Sequence, residues 1–202
     1  MISHTPEPPV TDRTSKSAAT RQRFVDEALR LFKDKGYEQT SMAQIASAAG
    51  GSRANLYLYF NSKPQIIMSR MQEIEAEVAD LYAILNQMPD HTPDSMRQWL
   101  EQARLMWVQY AAEFEAINRA MAAEPNVLDE WLGLLRRIAS VQTTLYNGCQ
   151  TEDERQDREV HMATLMTSLE RNFYFLYIRG HNEREDRVLA SLARQWANLF
   201  GE

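Results

Sequence analysis

The chain has 202 residues, of which 44% are hydrophobic and 25% charged, with 7 Gly and 7 Pro. This length can bury a substantial core, and the shortage of Gly and Pro excludes collagen-like and low-complexity chains. No apolar run approaches the roughly 18 residues that a membrane span needs, and the polar start of the chain does not resemble a signal peptide. Because Cys149 is the only cysteine and the four His are far apart, we expect no disulfide, metal or cofactor, and a soluble cytoplasmic protein.

The charge is unevenly distributed along the chain. The net charge is -6 overall, but residues 1–65 carry +3 and residues 66–202 carry -9, and all four lysines lie in the first part. A basic module beside a larger acidic one would meet a polyanion with one end only, whereas ordinary scatter would give the same small excess. The charge pattern therefore leaves a nucleic-acid partner open without establishing it.

Helical periodicity runs through the chain after residues 1–16, a stretch with three Pro and little to bury that is expected to be a disordered tail. Apolar residues then recur at three- and four-residue steps, and Gly, Pro and capping Ser or Thr separate the runs. No segment alternates as a strand does. The expected helices span about 18–35, 42–48, 53–60, 64–88, 94–111, 113–123, 126–148, 153–179 and 184–200.

Two of the short helices predict a helix–turn–helix. Residues 42–48 and 53–60 flank the sequence Ala49-Gly50-Gly51, and apolar side chains of both helices are spaced to pack together. The second helix exposes side chains that can bond to base edges and phosphates, and Arg and Asn in particular can form bidentate bonds to guanine and adenine. The packing set is Ile45, Ala46, Leu56 and Phe60, and the exposed set is Ser52, Arg53, Asn55, Tyr57 and Tyr59. A plain amphipathic helical hairpin is the alternative.

The stretch from Thr20 to Ile67 contains LFKDKGYEQTSMAQIASAAG followed by GSRANLYLYFNSKPQII, and it closely resembles the DNA-binding domain of TetR-family transcriptional regulators. Gly51 departs from the family, which usually has an apolar residue there, and Pro64 replaces the usual acidic residue. The resemblance implies an all-α fold of about nine helices, in which an N-terminal three-helix domain (17–63) joins a C-terminal ligand-binding and dimerisation bundle (64–202).

Residue roles in DNA binding also follow from the resemblance. It implies that one group at the start of the second helix faces the major groove, that a second group holds the DNA backbone, and that a lysine grips a phosphate. The group that faces the major groove is Arg53, Ala54 and Asn55. The group that holds the DNA backbone is Ser52, Tyr57, Tyr59 and either Thr40 or Ser41, and the lysine that grips a phosphate is Lys63. Thr40 and Ser41 can equally serve as plain helix caps.

The resemblance further implies a homodimer through a four-helix interface of the last two long helices. Each of these helices carries an apolar stripe, which could equally be intramolecular core. The stripes comprise Met162, Leu165, Met166, Leu169, Phe173 and Leu176 on the first helix, and Val188, Leu189, Leu192, Trp196 and Leu199 on the second. A protein that binds two symmetric half-sites of DNA needs two copies of its DNA-binding domain, which favours the dimer.

An effector pocket is expected among the middle helices, which are rich in large adaptable side chains, although such stripes are more often core. The candidates are Trp99, Ala103, Met106, Trp107, Tyr110, Phe114, Asn118, Met121, Trp131, His161 and Asn172. Their character predicts a small apolar or aromatic effector.

The leading interpretation is a ligand-responsive homodimeric repressor that binds a palindromic DNA operator and is released by its effector. An activator or a ligand-independent regulator of the same fold is the alternative. An all-helical enzyme would need a nucleophile–base pair or a clustered acid–base set, and no such motif appears in the sequence. A helical adaptor without DNA contact is disfavoured by the segment from Arg53 to Lys63.

Overall fold

The computed structural model describes residues 10–201, with side chains from Ser15 onward. Within that range the chain forms nine α-helices and no strand, which confirms the predicted all-α class. The helices are α1 (Val10–Lys35), α2 (Met42–Ala48), α3 (Arg53–Tyr57), α4 (Lys63–Ala83), α5 (Pro93–Gln109), α6 (Ala111–Ala123), α7 (Pro125–Ser140), α8 (Glu152–Phe173) and α9 (Glu185–Gly201). None of them is long and apolar enough to cross a membrane.

The helices form two compact units, and the division between them falls after Ile67. In the N-terminal unit α1 packs on α2 and α2 on α3. Its core is built on Phe24, Val25 and Ala28 of α1, which are fully buried together with Ile45 and Leu56. These are the apolar positions that recur at helical spacing, so the sequence pattern dictates this packing.

The first helix begins earlier than its apolar pattern suggests. Residues 10–16 belong to α1 and not to a disordered tail, while residues 1–9 of the expected tail lie outside the described residues. No Gly or Pro interrupts residues 10–35, and each residue added to an existing helix gains a hydrogen bond for little further ordering cost. The helix therefore continues beyond the part that has a core to bury. At its other end Gly36, with φ 94°, donates its N–H to the carbonyl of Phe32.

The C-terminal unit is a bundle in which α9 packs chiefly against α5 and also against α8, while α7 packs against α6 and α8. Three aromatic rings, those of Tyr82, Trp99 and Trp196, meet at its centre, and the centroids of the two indoles are 4.8 Å apart. Trp99 donates its indole N–H to the carbonyl of Leu81, which satisfies that buried group.

Helix α7 ends at Ser140, about two turns before the predicted end at residue 148. Side chains cap its last carbonyls: Gln142 donates to the carbonyl of Ile138, and the Tyr146 hydroxyl donates to that of Ala139. Residues 141–150 then form turns, and a capping box at Thr151 opens α8. Such polar caps end a helix without the Gly or Pro on which sequence reasoning depends.

The apolar stripes of α8 and α9 lie in the core of the chain itself, so the prediction that they form the dimer interface is wrong. An amphipathic helix of a bundle needs one apolar stripe to pack in the core of its own chain, and these stripes serve that purpose. Val188 alone of the predicted set is half-buried, and Leu199 is 1% exposed. Nine other residues of the predicted interface are each no more than 5% exposed: Met162, Leu165, Met166, Leu169, Phe173, Leu176, Leu189, Leu192 and Trp196.

Candidate functional site

Helices α2 and α3 are fixed by caps that the sequence provides locally. Ser41 caps α2 in a capping box, in which its hydroxyl accepts from the N–H of Gln44 and the Gln44 side chain accepts from the N–H of Ser41. Gly50 has φ 66°, a left-handed conformation that suits glycine, and it turns the chain between the two helices. The Ser52 hydroxyl then accepts from the N–H of Asn55 and starts α3. Local chemistry therefore sets the angle at which α3 is presented.

The predicted DNA-reading side chains lie together on the outer face of α3. Arg53 and Ala54 are exposed, Asn55 is half-buried, and Tyr57 is exposed. The Arg53 guanidinium lies 5.4 Å from the centroid of the Tyr57 ring, a cation–π contact that orients the arginine without using up all of its donors. The face thus combines a bidentate donor, an amide and a hydroxyl in about one helical turn.

Thr40 and Tyr59 are held by the N-terminal unit itself. Thr40 is 2% exposed, and its hydroxyl donates to the carbonyl of Gly36 at 2.8 Å. Its predicted alternative role as a phosphate contact is therefore wrong, since a buried hydroxyl that closes a turn does not reach the DNA backbone. Tyr59 is half-buried: its ring lies 5.8 Å from that of Phe24, and its hydroxyl accepts from Ser17 of α1 at 3.4 Å.

Lys63 has a partner within its own unit. Its ammonium donates to the carbonyl of Tyr37 at 2.7 Å and lies 4.4 Å from the centroid of the Tyr37 ring. The contact ties the first residue of α4 to the turn between α1 and α2. An ammonium has three donors, so a phosphate contact by Lys63 stays a prediction.

Leu58, which sequence reasoning missed, follows α3 and is 82% exposed. Helical spacing contained the signal: Leu56 and Phe60 are four residues apart on the buried face, so a residue midway between them points the opposite way. An exposed leucine beside Tyr57 offers an apolar surface of the kind that can contact thymine methyl groups.

Gly51 is explained by close packing and not by backbone conformation. A Cβ added there would lie 3.0 Å from Cζ of Phe24, a ring that is fully buried. The Phe24 ring therefore occupies the space that an apolar side chain would take at this position.

We expect Gly51→Val to lower the free energy of unfolding of the N-terminal unit by about 1–3 kcal/mol, because its methyl groups collide with Phe24 in a packed core. The double variant Gly51→Val with Phe24→Leu should recover part of the loss, since the smaller side chain makes room. Thermal melting of the parent, both single variants and the double variant measures this. A Gly51→Val variant as stable as the parent would contradict the packing argument.

Comparison with known proteins decides the family. The model of bacterial regulatory proteins of the tetR family matches residues 24–68, the segment that holds α2, the turn and α3. The chain belongs to the TetR family of transcriptional regulators. The resemblance read from the sequence is thereby confirmed, and the helix–turn–helix is a DNA-binding one.

Individual TetR-family proteins are similar over different lengths. The transcriptional regulator AcrR of Shigella flexneri is 37% identical over 62 residues, which are 31% of this chain and 29% of AcrR. The regulator EthR of Mycolicibacterium smegmatis is 21% identical over 196 residues, covering 94% of this chain and 87% of EthR. The solved structure of Thermus thermophilus FadR in complex with lauroyl-CoA has a TM-score of 0.57 at 18% identity and covers 90% of this chain and 93% of FadR. At 18% identity, this structural likeness shows a shared fold and nothing further.

A small cavity lies inside the C-terminal bundle of this TetR-family chain. It measures about 20 Å³, roughly the space needed by one water molecule. Its walls come from α4, α5, α6, α7 and α8 and are mostly aromatic and aliphatic. The lining residues are Val78, Leu81, Tyr82, Met106, Trp107, Phe114, Trp131, Leu135, Met166, Leu169 and Glu170.

Only part of the predicted pocket set reaches this cavity. Met106, Trp107, Phe114 and Trp131 line it, and Asn118 bonds to its one carboxylate. The other candidates lie outside the lining: Trp99 and Ala103 are buried core, the Tyr110 hydroxyl donates to Glu77, and Met121, His161 and Asn172 are half-buried elsewhere. Helical spacing shows which residues are buried but not which of them face a common void.

Glu170 is the lining residue that sequence reasoning missed. It is 7% exposed, and it accepts hydrogen bonds from the indole N–H of Trp131 at 2.9 Å and from the Asn118 amide at 3.4 Å. Burial raises the pKa of this carboxyl, while the bond from Trp131, the charge of Arg171 and the bond from Asn118 oppose the rise. Its place four residues after Met166 and three before Phe173, on the apolar face of α8, was the available signal.

Ion pairs tie α4 to the helices beside the cavity. Arg70 bonds to Glu113 of α6 at 2.8 Å, and Arg137 of α7 bonds to Glu75 at 3.0 Å. The hydrogen bond from Tyr110 to Glu77 adds a third link to α4 and raises the pKa of that tyrosine. These links hold the segment of α4 in the C-terminal unit against the walls of the cavity.

Proposed function

We propose that this chain is a homodimeric repressor that binds a palindromic operator through α3 and leaves it when a small effector occupies the cavity of the C-terminal bundle. The observation that carries the proposal is the outer face of α3, where Arg53, Asn55 and Tyr57 are presented by a capped helix–turn–helix. As a regulator of transcription the protein acts on DNA in the cytoplasm.

The chemistry of α3 supports sequence-specific DNA binding. Arg53 and Asn55 reach base edges of the major groove, while Ser52, Tyr57, the exposed Ser41 and Lys63 contact the DNA backbone. The positive charge of residues 1–65 against the negative charge of the rest presents this end of the chain to the polyanion.

The dimer forms through the outer faces of α8 and α9, opposite their buried stripes. A shallow groove between these helices is lined by Asn172, Arg184, Arg187, Val188, Ser191, Leu192 and Gln195. Phe175, which is 47% exposed, lies in the π turn that follows α8. Small side chains such as Ser191 allow helices to approach closely, and Phe175 and Val188 supply apolar area.

The effector enters a cavity that is nearly closed in this structure, so its binding must move side chains. Met106 and Met166 line the cavity, and the flexible methionine side chain adapts readily to such changes. An effector that prefers this expanded conformation over the DNA-bound one shifts the protein away from its operator. The lauroyl-CoA of Thermus thermophilus FadR supports effector binding by this fold.

An activator, a ligand-independent regulator and an enzyme are the competing functions. An enzyme is disfavoured because the similar proteins are transcriptional regulators and because Glu170, the one buried carboxylate among the residues whose side chains the structure describes, bonds to neutral donors rather than to a nucleophile or base.

A reporter experiment separates repressor from activator. A DNA site selected by the protein from random duplexes is placed across a promoter, and the transcript is measured with the parent, with Arg53→Ala and without the protein. A repressor lowers the transcript and Arg53→Ala restores it. A raised transcript indicates an activator, and an unchanged one contradicts both.

A further inference from the structure

The cavity of the C-terminal bundle contains one ionisable carboxyl group, that of Glu170. The other walls are apolar or aromatic, and the rings of Trp107 and Phe114 stack with centroids 4.2 Å apart. The ring of Trp131 meets that of Phe114 edge-on. A carboxylate in an otherwise aromatic and apolar lining is unusual, since without it the cavity would favour any apolar ligand.

Glu170 has hydrogen-bond donors but no counter-ion. Among the described residues no Lys, Arg or His forms an ion pair with it, and its two partners, Trp131 and Asn118, are neutral. Arg171, the neighbouring residue on α8, is exposed and forms no ion pair with Glu170; it donates instead to the Asn118 oxygen at 3.4 Å, and its charge lowers the pKa of Glu170 from a distance. A buried carboxylate without a counter-ion is costly, and a bound cation would remove that cost.

We propose that the effector is a lipophilic organic cation, whose positively charged nitrogen lies against Glu170 and whose hydrocarbon body lies among Trp107, Phe114 and Trp131. The inference rests on the proposed effector-binding function and names the chemical class of the effector. Aromatic faces attract cations as well as apolar groups, so the walls and the carboxylate favour the same ligand. An anionic acyl-CoA, in contrast, would bring negative charge towards Glu170 and is disfavoured.

A matched pair of probes tests the charge preference directly. Benzyltrimethylammonium and neopentylbenzene have the same shape, and they differ in a charged nitrogen against a neutral carbon. Calorimetric titration of each probe into the parent dimer should show the cation binding at least tenfold more tightly. The Glu170→Gln variant should lose at least tenfold in affinity for the cation and little for neopentylbenzene, because Gln keeps the shape and an acceptor but not the charge.

Glu159→Gln is the control, since it removes the same charge from the same helix at a residue outside the cavity lining. It should bind both probes as the parent does. Melting curves of both variants establish that they are folded; Glu170→Gln should melt no lower than the parent, because it removes an unpaired buried charge.

Equal affinity of the parent for the two probes, full retention of cation binding by Glu170→Gln, or failure of both probes to bind at millimolar concentration would each overturn the cationic assignment. None of these outcomes touches DNA binding. The operator-binding measurement on the parent without probe decides the proposed regulator function separately.

Discussion

Replacing Leu169 by Glu is expected to unfold the C-terminal bundle and not to release a folded monomer. Leu169 is 3% exposed and lines the cavity beside Glu170. The substitution buries a second carboxylate next to the first, with no cation to pair with either. Burying an unpaired charge and losing a leucine from the core together cost about 4 kcal/mol or more, a large part of the stability of a domain.

Ser191→Arg is the matched change on the outer face of α9. It places a charge in the groove that already holds Arg184 and Arg187, so a two-fold interface there would bring like charges together. We expect a folded chain of 23.4 kDa that melts cooperatively, in place of a dimer of twice that mass. Sedimentation gives the mass, and circular dichroism gives the melting.

The contrast between the two variants distinguishes core from interface. If Leu169→Glu were a folded monomer and Ser191→Arg a dimer, the buried stripes would be the interface after all. If the parent were a monomer at micromolar concentration, the two-fold account of operator binding would fail.

Arg53→Ala is expected to weaken binding to the selected operator by about 1–3 kcal/mol at each half-site and to relax the base preference at one position. The proposed dimer carries two copies, so the specific complex would lose both contributions. Tyr57 loses its cation–π partner at the same time, which frees its ring but leaves its hydroxyl in place. Fluorescence anisotropy at a fixed salt concentration measures the change.

Arg136→Ala controls for net charge, because it removes the same charge from an exposed position of α7 in the other unit. It should bind operator and random duplex as the parent does. Equal operator affinity for Arg53→Ala and Arg136→Ala would exclude base reading by Arg53.

The helix–turn–helix is predictable from sequence because its determinants are local. Ser41 and Ser52 cap the helices within three residues of themselves, and Gly50 provides the positive φ between them. Ile45 and Leu56 mark the packed faces. Thr40 is the exception, since its sequence position suits a cap or a phosphate contact equally, and its burial depends on the return of α2 onto α1.

The bundle is less predictable because an apolar stripe indicates that one face of a helix is buried. It does not indicate whether a helix of the same chain or a second copy of the chain covers that face. Leu169 and Trp196 read equally well as core or as dimer contact, and only the packing of α9 on α5 and of α8 on α7 assigns them to the core. Glu170 was missed for a different reason. An acid is almost never fully buried, so the sequence favours Asn118, His161 and Asn172 as the polar groups of a pocket.

Selection of bound DNA from a library of random duplexes tests the central claim, that α3 of each protomer reads one half of a symmetric operator. The account predicts enrichment of a two-fold symmetric sequence whose half-sites are spaced for successive major grooves, about 34 Å or a multiple apart. It also predicts that affinity for this site falls steeply with added salt, because phosphate contacts release counterions. Enrichment of no sequence, or of a sequence that binds Arg53→Ala as tightly as the parent, would contradict the account.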